Sequence, residues 1–131
     1  MRTQIGLLSL AAFLGWVTIS EAASLFDGNY QLTSSTKVVQ TFLNRGGQMG
    51  FCPDRQPSPL TIMDGRAQYT TETGVKLEAP VEPNGQFEMR HVAAGGSGTL
   101  RALGTIDGNF TVRMRQMGNS CSYDFVWQKQ S

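Results

Sequence analysis

Histidine is almost absent from this sequence: of 131 residues, His91 is the only one. Most metal sites and acid–base catalytic centres rely on imidazole, so a single histidine removes most enzymes of both kinds. Charged residues are also few, at 16% of the chain. The net charge is small as well, because 11 Lys and Arg nearly balance 10 Asp and Glu. Nucleic-acid-binding proteins usually carry a basic excess, and this sequence has none.

Motifs that carry catalysis or phosphate binding are also missing. The sequence contains no Gly-x-Ser-x-Gly nucleophile elbow. Residues 95–98 read Gly-Gly-Ser-Gly, but a P-loop needs Gly-Lys-Ser/Thr before a helix, and here a strand pattern begins at Thr99. The acidic residues are scattered singly along the chain and indicate no metal-ligand cluster. We therefore expect a protein that is not an enzyme and binds no metal or cofactor.

The only long apolar run lies at the N-terminus. Residues 5–19 are mostly apolar, follow Arg2 and precede Ser20-Glu21-Ala22, which places small residues at the two positions that a signal peptidase reads. At about 15 residues the run is shorter than the ~20 residues that span a bilayer. We predict a signal peptide over residues 1–22 and a single exported β domain over residues 23–131.

Two cysteines, Cys52 and Cys121, remain in the predicted mature chain. An oxidising compartment favours a disulfide between them. The bridge would close a loop over a separation of 69 residues, which is worth up to roughly 4 kcal/mol. A free reactive thiol is the alternative, but neither cysteine lies in a Cys-x-x-Cys motif. We predict the disulfide.

Glycine is abundant, with 15 residues. Several of these glycines form the second residue of turn dipeptides, which separate short runs of alternating apolar and polar residues. With a first strand near residues 29–35, the pattern predicts about eight antiparallel strands in meander order. The Asp64-Gly65 turn, for example, pairs Ile62 with Ala67. Because one face is apolar throughout, the sheet must close or fold over. We predict a small barrel or a strongly curved barrel-like sheet, with a two-sheet sandwich as the alternative. The dipeptides are Asp27-Gly28, Asp64-Gly65, Asn84-Gly85 and Asp107-Gly108.

Three side chains on the predicted inner face are candidates for ligand binding. A three-residue loop at residues 83–85 pairs Leu77 with His91, and alternation in the last strand turns Tyr123 and Trp127 inward. An eight-stranded barrel is just wide enough for side chains or one small ligand. His91, Tyr123 and Trp127 therefore either orient a small apolar or amphipathic ligand or belong to an ordinary core.

Two arginines on the predicted outer face are candidates for anion contact. A three-residue loop at residues 107–109 places Arg101 directly opposite Arg115. Like charges in that position repel each other and need compensation. An anionic partner would supply it, whereas water, salt and neighbouring acidic residues are the alternative.

Residues 36–59 are the hardest part of the chain to interpret. The apolar spacing from Val38 to Leu43 fits either a short helix or a strand. A loop rich in glycine and proline follows, and a disulfide at Cys52 would hold it against the last strand. Because long ordered loops are common sites of function, residues 44–58 are a candidate surface for a protein partner or an inhibitory contact.

Nearly the whole predicted domain is covered by an ordered set of short motifs. The set resembles a group of small exported proteins that are common in proteobacteria and have no assigned function. The resemblance implies a Gram-negative periplasmic setting and an antiparallel β fold, and it implies no catalytic or binding residues. The motifs are Phe26-Asp27-Gly28-x-Tyr30, then, after a cysteine, Pro59-Leu60-Thr61-Ile62-x-Asp64-Gly65, then Gly104-x-Ile106-Asp107-Gly108 and Cys121-x-Tyr123-x-x-x-Trp127-x-Lys129.

Two functional hypotheses follow from these patterns. The first is a periplasmic, non-enzymatic binding protein that carries a small apolar or amphipathic ligand in its barrel. The alternative is a module that binds or inhibits a protein through the loop of residues 44–58.

Overall fold

The structure is a computed structural model that describes residues 25–93, 95 and 98–130. The predicted signal peptide, residues 1–22, lies outside these residues. The described chain contains ten β-strands, and no helix in it is long and apolar enough to cross a membrane. The strands are β1 (Gly28–Lys37), β2 (Thr41–Leu43), β3 (Met49–Phe51), β4 (Leu60–Met63), β5 (Arg66–Thr70), β6 (Lys76–Pro80), β7 (Gln86–Val92), β8 (Thr99–Ile106), β9 (Thr111–Met117) and β10 (Ser122–Lys129).

Eight of these strands form one antiparallel sheet in the order β6-β5-β4-β1-β10-β9-β8-β7. The first and last strands of the chain pair with each other from Tyr30↔Lys129 to Lys37↔Tyr123. The two edge strands, β6 and β7, are consecutive in sequence and lie side by side. The sheet is therefore an up-and-down barrel that is nearly closed, which confirms the predicted eight-stranded meander.

The barrel stays open between β6 and β7, where the sequence predicted a continuous hairpin. The loop itself forms as predicted, because Glu82 N donates to Gln86 O at 2.8 Å. Beyond the loop the strands separate. Val81 N donates toward β5, to Gly65 O at 2.8 Å. The backbone nitrogen of the preceding residue, Pro80, therefore points toward β7, but proline has no N–H to donate. The predicted pairing of Leu77 with His91 is wrong for this reason. Among the described strands His91 pairs with β8 alone, opposite Leu100.

The turn between β4 and β5 agrees with its prediction. Ile62 faces Ala67, and Asp64 and Gly65 both have positive φ, 52° and 75°, as a two-residue type I′ turn requires. The carboxylate of Asp27 accepts hydrogen bonds from the backbone N–H groups of Asp64 and Gly65, at 2.9 and 3.0 Å. The start of the barrel is thereby fixed to this turn.

The pairing of β8 with β9 differs from its prediction by two residues, because the loop between the strands moves by one residue. Asp107 N donates to Thr111 O at 3.1 Å, so the loop comprises residues 108–110 instead of 107–109. The Asp107 carboxylate accepts from the N–H groups of Asn109 and Thr111 at 2.9 and 3.1 Å. Phe110 has a φ of 57°, a conformation that is uncommon for a bulky residue and that no turn dipeptide signals.

This shift overturns the predicted meeting of two arginines. Arg101 of β8 lies opposite Met117 of β9, and Arg115 of β9 lies opposite Leu103 of β8. Because the shift is an even number of residues, every side chain keeps the face predicted for it. The outer position of both arginines is correct, and only their direct opposition is wrong.

The inside of the barrel is filled by side chains. Alternate residues of β10, among them Tyr123 and Trp127, point inward and are buried, as predicted. The ring of Trp127 packs edge-on against the rings of Tyr69 and Phe125, with centroids 5.4 and 5.6 Å apart. This core is continuous along the barrel. Its largest fully buried side chains are Trp127, Tyr30, Phe125, Leu60, Leu77, Met89 and Val112.

Residues 38–59 leave the barrel wall between β1 and β4. Among the described residues, strands β2 and β3 pair only with each other, as a separate two-stranded sheet. Of the two interpretations of Val38–Leu43, the strand is therefore correct and the helix is wrong. The predicted disulfide joins Cys52 to Cys121 just before β10, with the two Cα atoms 5.6 Å apart.

Candidate functional site

The β2–β3 hairpin, residues 41–51, is anchored to the barrel at its base. Val38 N donates to Ser122 O of β10 at 2.9 Å, while Cys52 N donates to Gln40 O at 3.0 Å and holds the two ends of the hairpin together. The disulfide from Cys52 adds a covalent link at the same place. A two-stranded hairpin is marginally stable by itself in water, so these anchors determine where it stands.

The hairpin turn is organised by Asn44. Its side-chain Oδ1 accepts from Gly46 N at 3.0 Å and from Gln48 N at 2.9 Å. Gly47 has a φ of 76°, which glycine adopts without steric cost. These bonds fix the register in which Leu43 faces Met49.

The two faces of the hairpin differ in character. On one face the ring of Phe42 lies over Gly50, which has no Cβ to oppose it. On the other face Leu43, Met49 and Phe51 are 72%, 63% and 73% exposed. Leu43 and Met49 are direct cross-strand neighbours, and Phe51 lies opposite Thr41. We call this second face the apolar face.

Charge is almost missing from the hairpin and its base. Within residues 38–53 the only charged side chain is Arg45, at the turn. Just outside, Lys37 Nζ lies 3.2 Å from the carboxylate of Asp54. The apolar face therefore has one cation at its tip and a neutralised pair at its base.

Residues 53–59, the closing segment, cross the end of the barrel at which β1 stops. Three groups of the barrel donate to its carbonyls: Ser35 Oγ to Arg55 at 2.5 Å, Tyr123 OH to Pro53 at 2.7 Å and Trp127 Nε1 to Ser58 at 3.0 Å. Arg55 also bonds to Glu72 at 3.0 Å, and this hydrogen bond raises the pKa of Arg55. The segment connects the hairpin to the core of the barrel.

Of the three predicted ligand-binding residues, two hold the closing segment. The polar groups of Tyr123 and Trp127 are both engaged by its carbonyls. His91 shares the alternation of the buried Phe87 and Met89 in β7, but it is exposed near the end of that strand. The structure therefore brings Tyr123 and Trp127 together and leaves His91 apart.

A groove, here called the mouth groove, opens beside the closing segment. It has a volume of about 320 Å³, and its lining includes Thr73, Leu100, Gln116 and Tyr123. An adjoining groove of about 280 Å³ shares Thr73 and Leu100 and reaches His91. His91 and Tyr123 thus lie at the same end of the barrel, although they line different parts of it.

Two buried phenols of the barrel interior are hydrogen-bonded. Tyr69 OH donates to Gln116 Oε1 at 2.5 Å, and burial raises the pKa of Tyr69. Tyr30 OH donates to Phe26 O at 2.7 Å. Burial, with a smaller contribution from the carboxylate of Asp27, raises the pKa of Tyr30 to about 12. Both phenols are therefore neutral, and they have structural partners.

The two candidate anion-contact residues each have an acidic neighbour. Arg101 Nε donates to the Glu88 carboxylate at 2.5 Å. Arg115 forms two bonds with Asp124, at 2.8 and 3.0 Å, and these raise the pKa of Arg115. Compensation by neighbouring acids, the alternative to an anionic partner, is thus present for both residues.

No group of three or more metal-ligating side chains occurs within residues 25–93, 95 and 98–130. No protein-family model matches the chain, and comparisons with curated proteins and with solved structures found no significant match.

The sequence did not single out Met49 or Phe51. A signal was available, because Thr41-Phe42-Leu43 and Met49-Gly50-Phe51 alternate on either side of a turn that contains Gly46 and Gly47. The alternation cannot say which of the two faces is covered, because that depends on what the rest of the chain places beside the hairpin.

Proposed function

We propose that this protein is an exported, non-enzymatic module that binds a protein partner through the apolar face of its β2–β3 hairpin. The observation that carries the proposal is the outward position of Leu43, Met49 and Phe51. Apolar side chains grouped on an exposed surface mark interaction sites, since covering them removes apolar area from water. Aromatic residues, methionine and arginine are also enriched at protein interfaces, and Arg45 lies at the tip.

The anchored base of the hairpin supports the same proposal. The disulfide from Cys52 and the bond from Val38 N to Ser122 O hold the hairpin against the barrel in the free protein. A preorganised surface loses less conformational entropy on binding than a mobile loop. The disulfide is typical of an oxidising compartment, which supports an exported location, either periplasmic or secreted.

Site-specific crosslinking in the native host tests this proposal. We would replace Met49 or, as the matched control, Met63 by the photo-crosslinking residue p-benzoylphenylalanine. Both methionines are largely exposed, at 63% and 71%, and only Met49 lies on the apolar face. We expect residue 49 to give a discrete protein adduct that residue 63 does not give.

The captured protein must then bind directly in purified form. We expect Leu43→Ser/Phe51→Ser to weaken its affinity by about 30-fold or more, as removal of interface hot spots does. Met63→Ser should leave the affinity unchanged. The same adduct from both positions, or unchanged binding by the double variant, would overturn the proposal.

A small-ligand carrier is the second candidate, and the mouth groove favours it. Polar side chains, among them Tyr123 and Gln116, which is 7% exposed, converge on this groove beside Leu100, and convergent polar groups next to apolar surface are typical of ligand sites. Native mass spectrometry of protein purified gently from its host tests it. An added small mass that Thr73→Trp removes would support a carrier, whereas a bare monomer would contradict it.

A further inference from the structure

The backbone of the hairpin, and not only its side chains, is open to a partner. Asn44 N donates to Gln48 O at 2.9 Å, and Cys52 N donates to Gln40 O at 3.0 Å. Hydrogen-bonded and non-hydrogen-bonded residue pairs alternate along antiparallel strands. Met49 and Phe51 therefore lie in non-hydrogen-bonded pairs, and their backbone N–H and C=O groups point away from β2.

Strand β3 therefore presents an unpaired edge. The hairpin is a sheet of two strands only, and the N–H and C=O groups of Met49 and Phe51 meet no other backbone group in the described part of the chain. The side chains of these two residues stand on the apolar face along the same edge. The edge thus combines hydrogen-bonding groups with two large apolar contacts.

We infer that the partner contributes an extended polypeptide segment that adds to the β3 edge as a third strand. This inference rests on the proposed function and specifies the kind of partner. Main-chain bonds to an exposed edge supply affinity, and alternate side chains supply specificity. Every second side chain of the added strand would lie beside Met49 and Phe51 and should be apolar. An acidic residue at the end near Arg45 would match the one charge on the hairpin.

The same edge argues against insertion of the hairpin into a lipid bilayer. Backbone groups without partners are costly in hydrocarbon, where no water is present to bond them. An added strand satisfies these groups, and acyl chains do not. Between an extended peptide and a membrane surface, the unpaired edge therefore favours the peptide.

A displayed library of random twelve-residue peptides provides the probe for this inference. Peptides are selected on the disulfide-bonded protein and counter-selected on Met49→Ser/Phe51→Ser, which changes two exposed side chains and should keep the barrel intact by circular dichroism. The best peptide is then synthesised with N-methyl groups on its odd or on its even residues. In a strand only one of these sets faces the edge. We expect one set to weaken binding about tenfold per lost hydrogen bond and the other to leave it within about threefold.

Hydrogen exchange locates the added strand. On peptide binding, the N–H groups of Met49 and Phe51 should become protected, whereas those of Thr41 and Leu43 on the opposite edge should not. Protection of Thr41 and Leu43 alone would overturn the assignment to β3.

Three further outcomes would overturn the inference. They are a selection that enriches no peptide, equal tolerance of both N-methylated sets, and hairpin-dependent binding to phosphatidylethanolamine–phosphatidylglycerol vesicles in place of peptides. If the crosslink from residue 49 still forms, the partner surface stands and only the strand mode fails. If that crosslink is absent, the proposed function itself fails.

Discussion

The barrel and the hairpin are both built from strands whose apolar side chains alternate, but these side chains are buried in the barrel and exposed in the hairpin. In the barrel, alternate side chains such as Phe125 and Trp127 turn inward and are buried. In the hairpin, Leu43 and Phe51 alternate in the same way but face water. The barrel wall curves around its own core, whereas two strands alone have nothing to enclose. The difference shows that alternation assigns side chains to faces without deciding which face is covered.

One local device occurs in both regions. A phenylalanine ring covers a glycine directly across the sheet, Phe87 over Gly104 in the barrel and Phe42 over Gly50 in the hairpin. In the barrel the ring is buried, and in the hairpin it is half-buried. The ring therefore has less space around it in the barrel than in the hairpin.

The largest expected difference between the regions comes from truncating one phenylalanine in each. Phe125→Ala should lower the free energy of unfolding by about 3–5 kcal/mol, because it leaves a cavity in the core. Phe51→Ala should change it by no more than about 0.5 kcal/mol, because the side chain is exposed. Urea unfolding measures both. Equal losses would show that Phe51 packs on the barrel and would remove the contrast.

Removing the disulfide should affect the hairpin and the barrel differently. Cys52→Ala/Cys121→Ala should lower the free energy of unfolding by up to about 4 kcal/mol, since the crosslink no longer restricts the unfolded chain. Hydrogen exchange should then accelerate most in the hairpin, while β1 and β10 stay protected. Uniform acceleration across all strands would mean that the barrel depends on the tether as much as the hairpin does.

Adding one methyl group to each glycine compares the two glycine–phenylalanine pairs. Gly104→Ala should cost about 1–3 kcal/mol of unfolding free energy, because the buried Phe87 ring has no space to move into. Gly50→Ala should cost less than about 1 kcal/mol, because Phe42 can swing toward solvent. Thermal or urea unfolding distinguishes them. A larger loss at Gly50 would show that Phe42 is held as firmly as Phe87.

Alkaline pH should weaken the barrel through its buried phenols. Tyrosine in the unfolded chain ionises near pH 10, whereas the folded barrel raises the pKa of Tyr30 to about 12. The unfolded state therefore loses protons first, and stability falls as pH rises above about 10. We expect Tyr30→Phe/Tyr69→Phe to flatten this decline in urea unfolding curves. An unchanged slope would contradict the assignment.

The smallest effect is expected on the outer wall of the barrel. Arg101→Ser/Arg115→Ser removes two exposed ion pairs, which contribute little to stability because solvent screens them. We expect little change in unfolding free energy and no change in the affinity of the partner captured at the hairpin. Weaker partner binding by this variant would move the contact surface from the hairpin to the wall.

The turns show how far local sequence predicts the fold. At Asp64-Gly65 two residues with positive φ make the turn alone, so the dipeptide predicted the register correctly. At Asp107-Gly108 the positive φ belongs to Phe110, and the Asp107 carboxylate caps a later loop. A dipeptide signal cannot report that choice, because it depends on how both flanking strands pack.

The candidate site could be predicted only in outline. The sequence predicted that Cys52 would hold the loop of residues 44–58 against the last strand and that this loop was a candidate surface. It did not identify Met49 and Phe51, and it assigned ligand contacts to Tyr123 and Trp127, whose polar groups hold the closing segment. Hydrogen bonds between segments 69 or 70 residues apart leave no local pattern.

The sequence by itself determined the period-two alternation, the inward faces of the barrel strands and the cysteine pairing. These depend on local backbone geometry and on the redox compartment. Only the tertiary structure decided that the barrel opens between β6 and β7, that Arg101 and Arg115 do not lie opposite each other, and that the apolar face of the hairpin is exposed to water. Each of these results depends on which distant strands compete for the same hydrogen bonds and the same core, and no single segment carries that information.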